Sequence, residues 1–70
     1  MVAIELGKRV QEERLKLKAS YEDIEFFSGI ASAEIALIEQ GKFKEVSAFQ
    51  IEKLAFALGS SYKYLAFGRS

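Results

Sequence analysis

Ten carboxylates, ten cations and neither histidine nor cysteine define the chemistry open to this 70-residue chain. Without histidine the commonest general base is missing, and most zinc and triad chemistry goes with it. Without cysteine there are no disulfides and no thiolate metal sites. The adjacent acids Glu12–Glu13 and Glu22–Asp23 would point in different directions on a helix, so they make poor catalytic dyads. The five glycines are isolated, which leaves no loop to cradle a phosphate, and the acids lack the spacing of a calcium loop. Neither an enzyme nor a cofactor nor a metal is expected. The chemistry that remains is hydrogen bonding and ion pairing from the surfaces of helices.

Those surfaces need elements to hold them. Seventy residues form one domain, and half of them are apolar. A chain this short buries roughly 60 % of its unfolded surface, so the core has to be efficient. Leu6, Val10, Arg14 and Leu17 recur at helical spacing and predict an amphipathic helix over 4–18. Ser20 with Asp23 reads as a capping box opening a second helix, with Ile24 and Phe27 turned inward and Gly29 at its end. A third helix carries Ile35 and Ile38 inward and closes at Gly41. After a polar loop over 42–46, Ser47 with Gln50 caps a fourth helix whose inner face is Ile51, Leu54, Ala55 and Leu58. Beyond Gly59, Ser60 or Ser61 caps a short fifth helix carrying Tyr62, Tyr64, Leu65 and Phe67. The fold class is all-α, five helices in a single domain over 1–70, with no repeat and no linker. The N-terminus has no apolar run suited to a signal or membrane segment, which predicts a cytoplasmic protein with no membrane partner.

Within the twenty residues from Tyr21, Ile24 is an apolar anchor, and Gly29 with Ile30, Ile35 and Ile38 follows at set places. Two short helices that cross steeply need this arrangement, a glycine at the turn and branched side chains locking one helix to the other. The motif spans approximately 20–41. Together with the flanking helices it resembles the phage-repressor and Cro-like helix-turn-helix family, the XRE-type DNA-binding domain. The resemblance runs from Leu6-Gly7-Lys8-Arg9-Val10 to Tyr64-Leu65. It includes Ile38-Glu39-Gln40-Gly41-Lys42 and Leu54-Ala55-Phe56-Ala57-Leu58-Gly59, which look like two recurrent family signatures.

The resemblance implies a dimeric regulator of transcription that binds double-stranded DNA at a palindromic operator, with its third helix in the major groove. Carried over residue by residue, the groove-facing set is Ser32, Ala33, Ala36, Leu37 and Gln40. Ser20 and Tyr21 fall at the phosphate-contacting start of helix 2, and Lys42 and Lys44 in the following loop. Ser32 and Gln40 can hydrogen-bond, whereas alanine and leucine can touch only a thymine methyl. The resemblance also makes Arg14 and Glu39 an inter-helix pair. Physical chemistry agrees, because Arg14 lies in an apolar stripe where an unpaired guanidinium is costly. Tyr64 and Phe67 on the last helix fit the homodimer seam.

The departures from the family pattern are chemical. From Ala19 to Gly41 there are five acids and no base, a formal charge of −5, against +2 before the segment and +3 after it. Approach to DNA then relies on Lys8, Arg9, Lys42, Lys44 and the C-terminal residues. Tyr21 stands where the family has glutamine, and Glu25 where it has alanine at the helix crossing, so that Glu25 has to reach solvent or find a partner there, or the crossing is opened. Ala31 replaces the hydroxyl cap of helix 3, leaving Ser32 one place late. Phe26 beside the motif and Phe43 in the loop suit a protein contact. With the five acids and the apolar groove-facing set, they support the alternative function, a protein-interaction module of antirepressor or antitoxin-like type that has lost base reading.

Overall fold

The computed structural model describes residues 3–43 and 45–69. Among them five helices follow in order, α1 (Ala3–Lys16), α2 (Tyr21–Ser28), α3 (Ser32–Glu39), α4 (Ala48–Leu58) and α5 (Tyr62–Phe67). They pack into a body of 25 × 24 × 19 Å in which α1 lies on α3, α2 on α4 and α5 closes against α1 and α4. No helix among the described residues is long and apolar enough to cross a membrane.

The helix boundaries are set by local chemistry that the sequence carries openly. Ser20 and Asp23 exchange both bonds of a capping box at 3.0 Å, and Ser47 and Gln50 do the same at 3.0 and 3.1 Å. The α5 cap is Ser61, whose hydroxyl accepts the Tyr64 N–H at 3.0 Å. Gly29 takes φ 75, a left-handed conformation that lets α2 stop and α3 leave at a steep angle.

One core serves all five helices. Leu6, Val10, Ile35, Ile38, Ile51, Leu54 and Leu65 are fully buried, and Ile24 and Ile30 nearly so. Each such side chain contributes roughly 1.5–3 kcal/mol by leaving water.

Two expected core residues lie outside it. Helix α1 stops at Lys16, two residues before the predicted end, because Lys18 adopts φ 54 and the Ala19 N–H returns to the Arg14 carbonyl at 3.1 Å. The helical period ends there, so Leu17 is turned to solvent rather than inward. In α2 the inward pair is Ile24 and Ser28, one turn apart, and Phe27 is left more than half exposed. Ser28 is buried safely because its hydroxyl accepts the Ile30 N–H at 3.0 Å. The loop expected to be polar also contributes to the core, since Val46 is buried and Phe43 packs against it. Phe43 is therefore half-buried against the domain rather than a fully exposed ring.

Candidate nucleic-acid interface

The outer side of α3 is a short row held by the core beneath it. Ala33 and Leu37 lie one turn apart on that side, as do Ala36 and Gln40. Ala33, Leu37 and Gln40 are exposed, Ser32 and Ala36 half-buried. The row is apolar apart from its two ends, so it offers van der Waals contact along its middle and hydrogen bonds at Ser32 and Gln40.

How α3 begins resolves two of the sequence's departures together. Ala31 makes no side-chain cap. Instead Glu25 reaches across from α2, and its Oε1 accepts the Ser32 backbone N–H at 3.1 Å and the Ser32 hydroxyl at 2.6 Å. A carboxylate at a helix N-terminus satisfies an orphan donor and meets the positive end of the helix dipole. Of the outcomes expected for Glu25, it finds a partner and the crossing is not opened. The acid spans the crossing and ties it, and the Ser32 hydroxyl proton is committed to Glu25 rather than turned outward.

The hydroxyl and backbone bonds from Ser32 hold the Glu25 carboxyl below its ordinary pKa. A folded value below the unfolded one means that the stabilisation is complete above the ordinary glutamate pKa. It is lost as pH falls through the lowered value. An NMR titration is expected to find Glu25 ionising below the ordinary glutamate value, and Glu25→Gln to speed exchange of the Ser32 amide. A Glu25 carboxyl that titrates at the ordinary value would contradict this cap.

The opposite end of α3 is locked to α1. Arg14 Nε donates to Glu39 Oε2 at 2.6 Å and its NH2 nitrogen to Oε1 at 2.9 Å, a bidentate pair. Its NH1 nitrogen donates to the Ala19 carbonyl at 3.0 Å, and the guanidinium carbon lies 4.3 Å from the centre of the Tyr21 ring. The bonds to Glu39 raise the Arg14 pKa further, so the charge is permanent. The Tyr21 hydroxyl donates to Glu39 Oε1 at 3.1 Å. Burial first, and then the Glu39 charge, raise its pKa. This corrects the reading of Tyr21 as a phosphate contact, because its proton is held inside the lock. Ser20 is exposed, and its hydroxyl oxygen accepts from Asp23, which leaves its proton for an external oxygen.

Among the cations, Lys42 is exposed beside the C-terminal end of α3, Lys8 is exposed near Glu5, and Lys44 lies outside the described residues. Arg9 has a further role inside the fold. Its Nε and NH2 nitrogens donate to the Leu65 and Ala66 carbonyls at 2.9 and 3.3 Å, capping α5 from α1. It is a tie within the fold that keeps its positive charge, since both acceptors are neutral carbonyls. On α5, Tyr64 is half-buried against the core, while Phe67 is exposed and meets the Tyr62 ring edge-on at 6.4 Å. Phe26 is 80 % exposed. Two further exposed rings, Phe49 and Phe56, lie on α4. Their spacing of seven, out of step with the inner-face residues, is the sequence signal that marks them.

No family model matches the chain. No curated protein matches it either. Among solved structures it is similar to the crystal structure of the restriction-modification controller protein C.AhdI from Aeromonas hydrophila. The two share 32% sequence identity and superpose with a TM-score of 0.83, over 90% of this chain and 94% of that one.

Proposed function

The chain belongs to the Cro-like helix-turn-helix family, and on that premise we propose that it is a DNA-binding regulator of transcription. The reading is carried by one observation, the 32% identity that extends over nine-tenths of both chains to a controller protein. In this reading the protein works as a homodimer. Each protomer lays α3 in a major groove, and the half-sites of a palindromic operator lie about one helical turn apart. Ala33, Ala36 and Leu37 touch thymine methyl groups and follow groove shape, Gln40 bonds a base or phosphate, and Ser20, Lys42 and Lys44 hold the backbone. Ser32 contributes through its oxygen lone pair. Phe67, with Tyr64 behind it, supplies the seam between protomers.

The acidic run does not oppose this reading as strongly as its formal charge suggests. Arg14 cancels Glu39 directly, whereas Glu25 keeps its charge while it accepts from Ser32. Neither carboxylate belongs to the outward row. The alternative, a protein-interaction module, draws on the acids, the apolar α3 row and exposed aromatics such as Phe26.

Selection from random duplex DNA at low salt, followed by binding at rising salt, tests the function. A palindromic site is expected, with affinity falling steeply as salt rises. Lys42→Ala should weaken every sequence about equally and lower the salt slope by about 1. Gln40→Ala should relax preference at one base position, at a cost of about 1–3 kcal/mol. Failure to enrich any site, with binding abolished at modest salt, would count against the regulator and for the protein-interaction module.

A further inference from the structure

Four phenylalanines form one exposed face along α2 and α4. Phe26 is 80 % exposed, Phe27 57 %, Phe49 67 % and Phe56 74 %. The Phe26 and Phe27 rings meet edge-on at 5.1 Å. Phe27, Phe49 and Phe56 in turn line one open hollow of about 250 Å³ together with Glu52 and Lys53. The four rings are therefore continuous. At roughly 200 Å² per aromatic side chain they leave roughly 550 Å² of phenylalanine in water. That is about one-eighth of the protein's 4433 Å² accessible surface.

We propose that this face binds a second copy of the same chain, as a homotypic interface separate from α5. The first argument is area. A stable interface takes about 800 Å² from each partner, and the rings alone supply about two-thirds of that. The second is charge. Lys53 lies over the Phe49 ring at 5.0 Å, and Glu52 is its neighbour in the same hollow. Across a two-fold axis one copy's Lys53 meets the other's Glu52, and the reverse contact follows by symmetry. A strongly charged partner of either sign would leave one of them unmatched. The chain's formal net charge of zero means that two copies approach without long-range repulsion.

Sedimentation equilibrium of the whole chain and of Phe67→Glu tests the proposal. Phe67→Glu removes the α5 seam and is expected to sediment as a dimer of about 16 kDa, twice the 7.9 kDa chain. Adding Phe27→Glu and Phe56→Glu should return 7.9 kDa. Phe49→Glu alone should weaken association at least tenfold and gives the reading if the combined variant fails to fold. Sulfate should strengthen this association, since it favours apolar burial, whereas salt weakens DNA binding. A Phe67→Glu protein that remains at 7.9 kDa at millimolar concentration overturns the proposal. So does a mass unchanged by substitution of the rings when circular dichroism shows the helices intact. If the α5 seam fails instead, the parent and Phe67→Glu simply share one mass.

Discussion

Glu39→Ala is expected to destabilise the domain by about 3–5 kcal/mol, the cost of removing one partner from a buried ion pair. The Glu39 side chain is 1% exposed and that of Arg14 11%. The substitution removes both acceptors of the bidentate pair and the acceptor of the Tyr21 hydroxyl at once. The guanidinium cannot discharge to escape. Its bond to the Ala19 carbonyl survives, which argues for the lower half of the range. Small domains are stable by only about 5–15 kcal/mol, so the loss takes a large part of the total. In a domain of this size the melting midpoint should fall by more than about 12 °C. Urea unfolding followed by circular dichroism gives the comparison. Glu39→Gln, which retains shape and one acceptor, should lose less. Replacing Arg14 and Glu39 together by Met and Leu should recover most of the loss, because no unpaired charge remains. A change under about 0.5 kcal/mol for Glu39→Ala would mean that solvent reaches the pair far more freely than its burial implies.

That lock was legible in the sequence because its problem was local. A cation in the apolar stripe of α1 requires a partner, and the family pattern supplied Glu39. The capping boxes at Ser20 and Ser47 were legible for the same reason, since each closes over three residues. What could not be read depends on distant approach. Arg9 bonds carbonyls more than fifty positions away in sequence, and before folding it resembles any solvated cation. Glu25 and Ala31 each departed from the pattern in a visible way. Only the crossing of α2 and α3 shows that the acid at one position supplies the cap missing at the other. Leu17 and Phe27 show the limit of periodicity, which does not report where a helix stops or which edge of its apolar stripe has a neighbour. Phe43 and Phe49 illustrate the same limit from opposite sides. The loop ring packs partly against the core, and the helical one stays exposed.

The internal ties also decide what the α3 surface can do. With Glu25 holding its first turn and Arg14 its last, α3 is fixed at both ends and its outward row is presented as a rigid strip. Under the proposed function, rigid presentation matters for a row made chiefly of alanine and leucine. On the proposed DNA-binding reading, such a row has few hydrogen bonds with which to correct a misplaced approach, so its discrimination would rest on shape. Glu39→Gln, if it folds, should therefore reduce operator preference more than nonspecific affinity, although Glu39 does not face outward.

Gly7→Ala should produce the second large loss, about 3 kcal/mol or more, at or beyond the upper end for an overpacked core site. The usual expectation has the opposite sign, because alanine in a helix interior is favoured over glycine by roughly 0.5–1 kcal/mol. Gly7 lies inside α1, where that helix runs against the end of α3. A Cβ there would press into the Ile38 carbonyl oxygen, closer than real Cβ atoms come, and would stand 3.1 Å from the Glu39 carbonyl oxygen. Both obstacles are backbone, which has no rotamer to retreat into, so α1 would have to lift away from α3. Lifting separates Leu6 and Val10 from Ile35 and Ile38, and it draws Arg14 from Glu39. Gly29→Ala is the control. Its added Cβ meets nothing within 4 Å and suffers only the left-handed φ of 75, at a cost of about 1–2 kcal/mol. Because Gly7 and Glu39 act on the same last turn of α3, the double variant should lose less than the sum of the two single losses. A Gly7→Ala protein as stable as the parent in urea would show that α1 and α3 can separate without loss, and the argument for a rigid reading helix would fall with it.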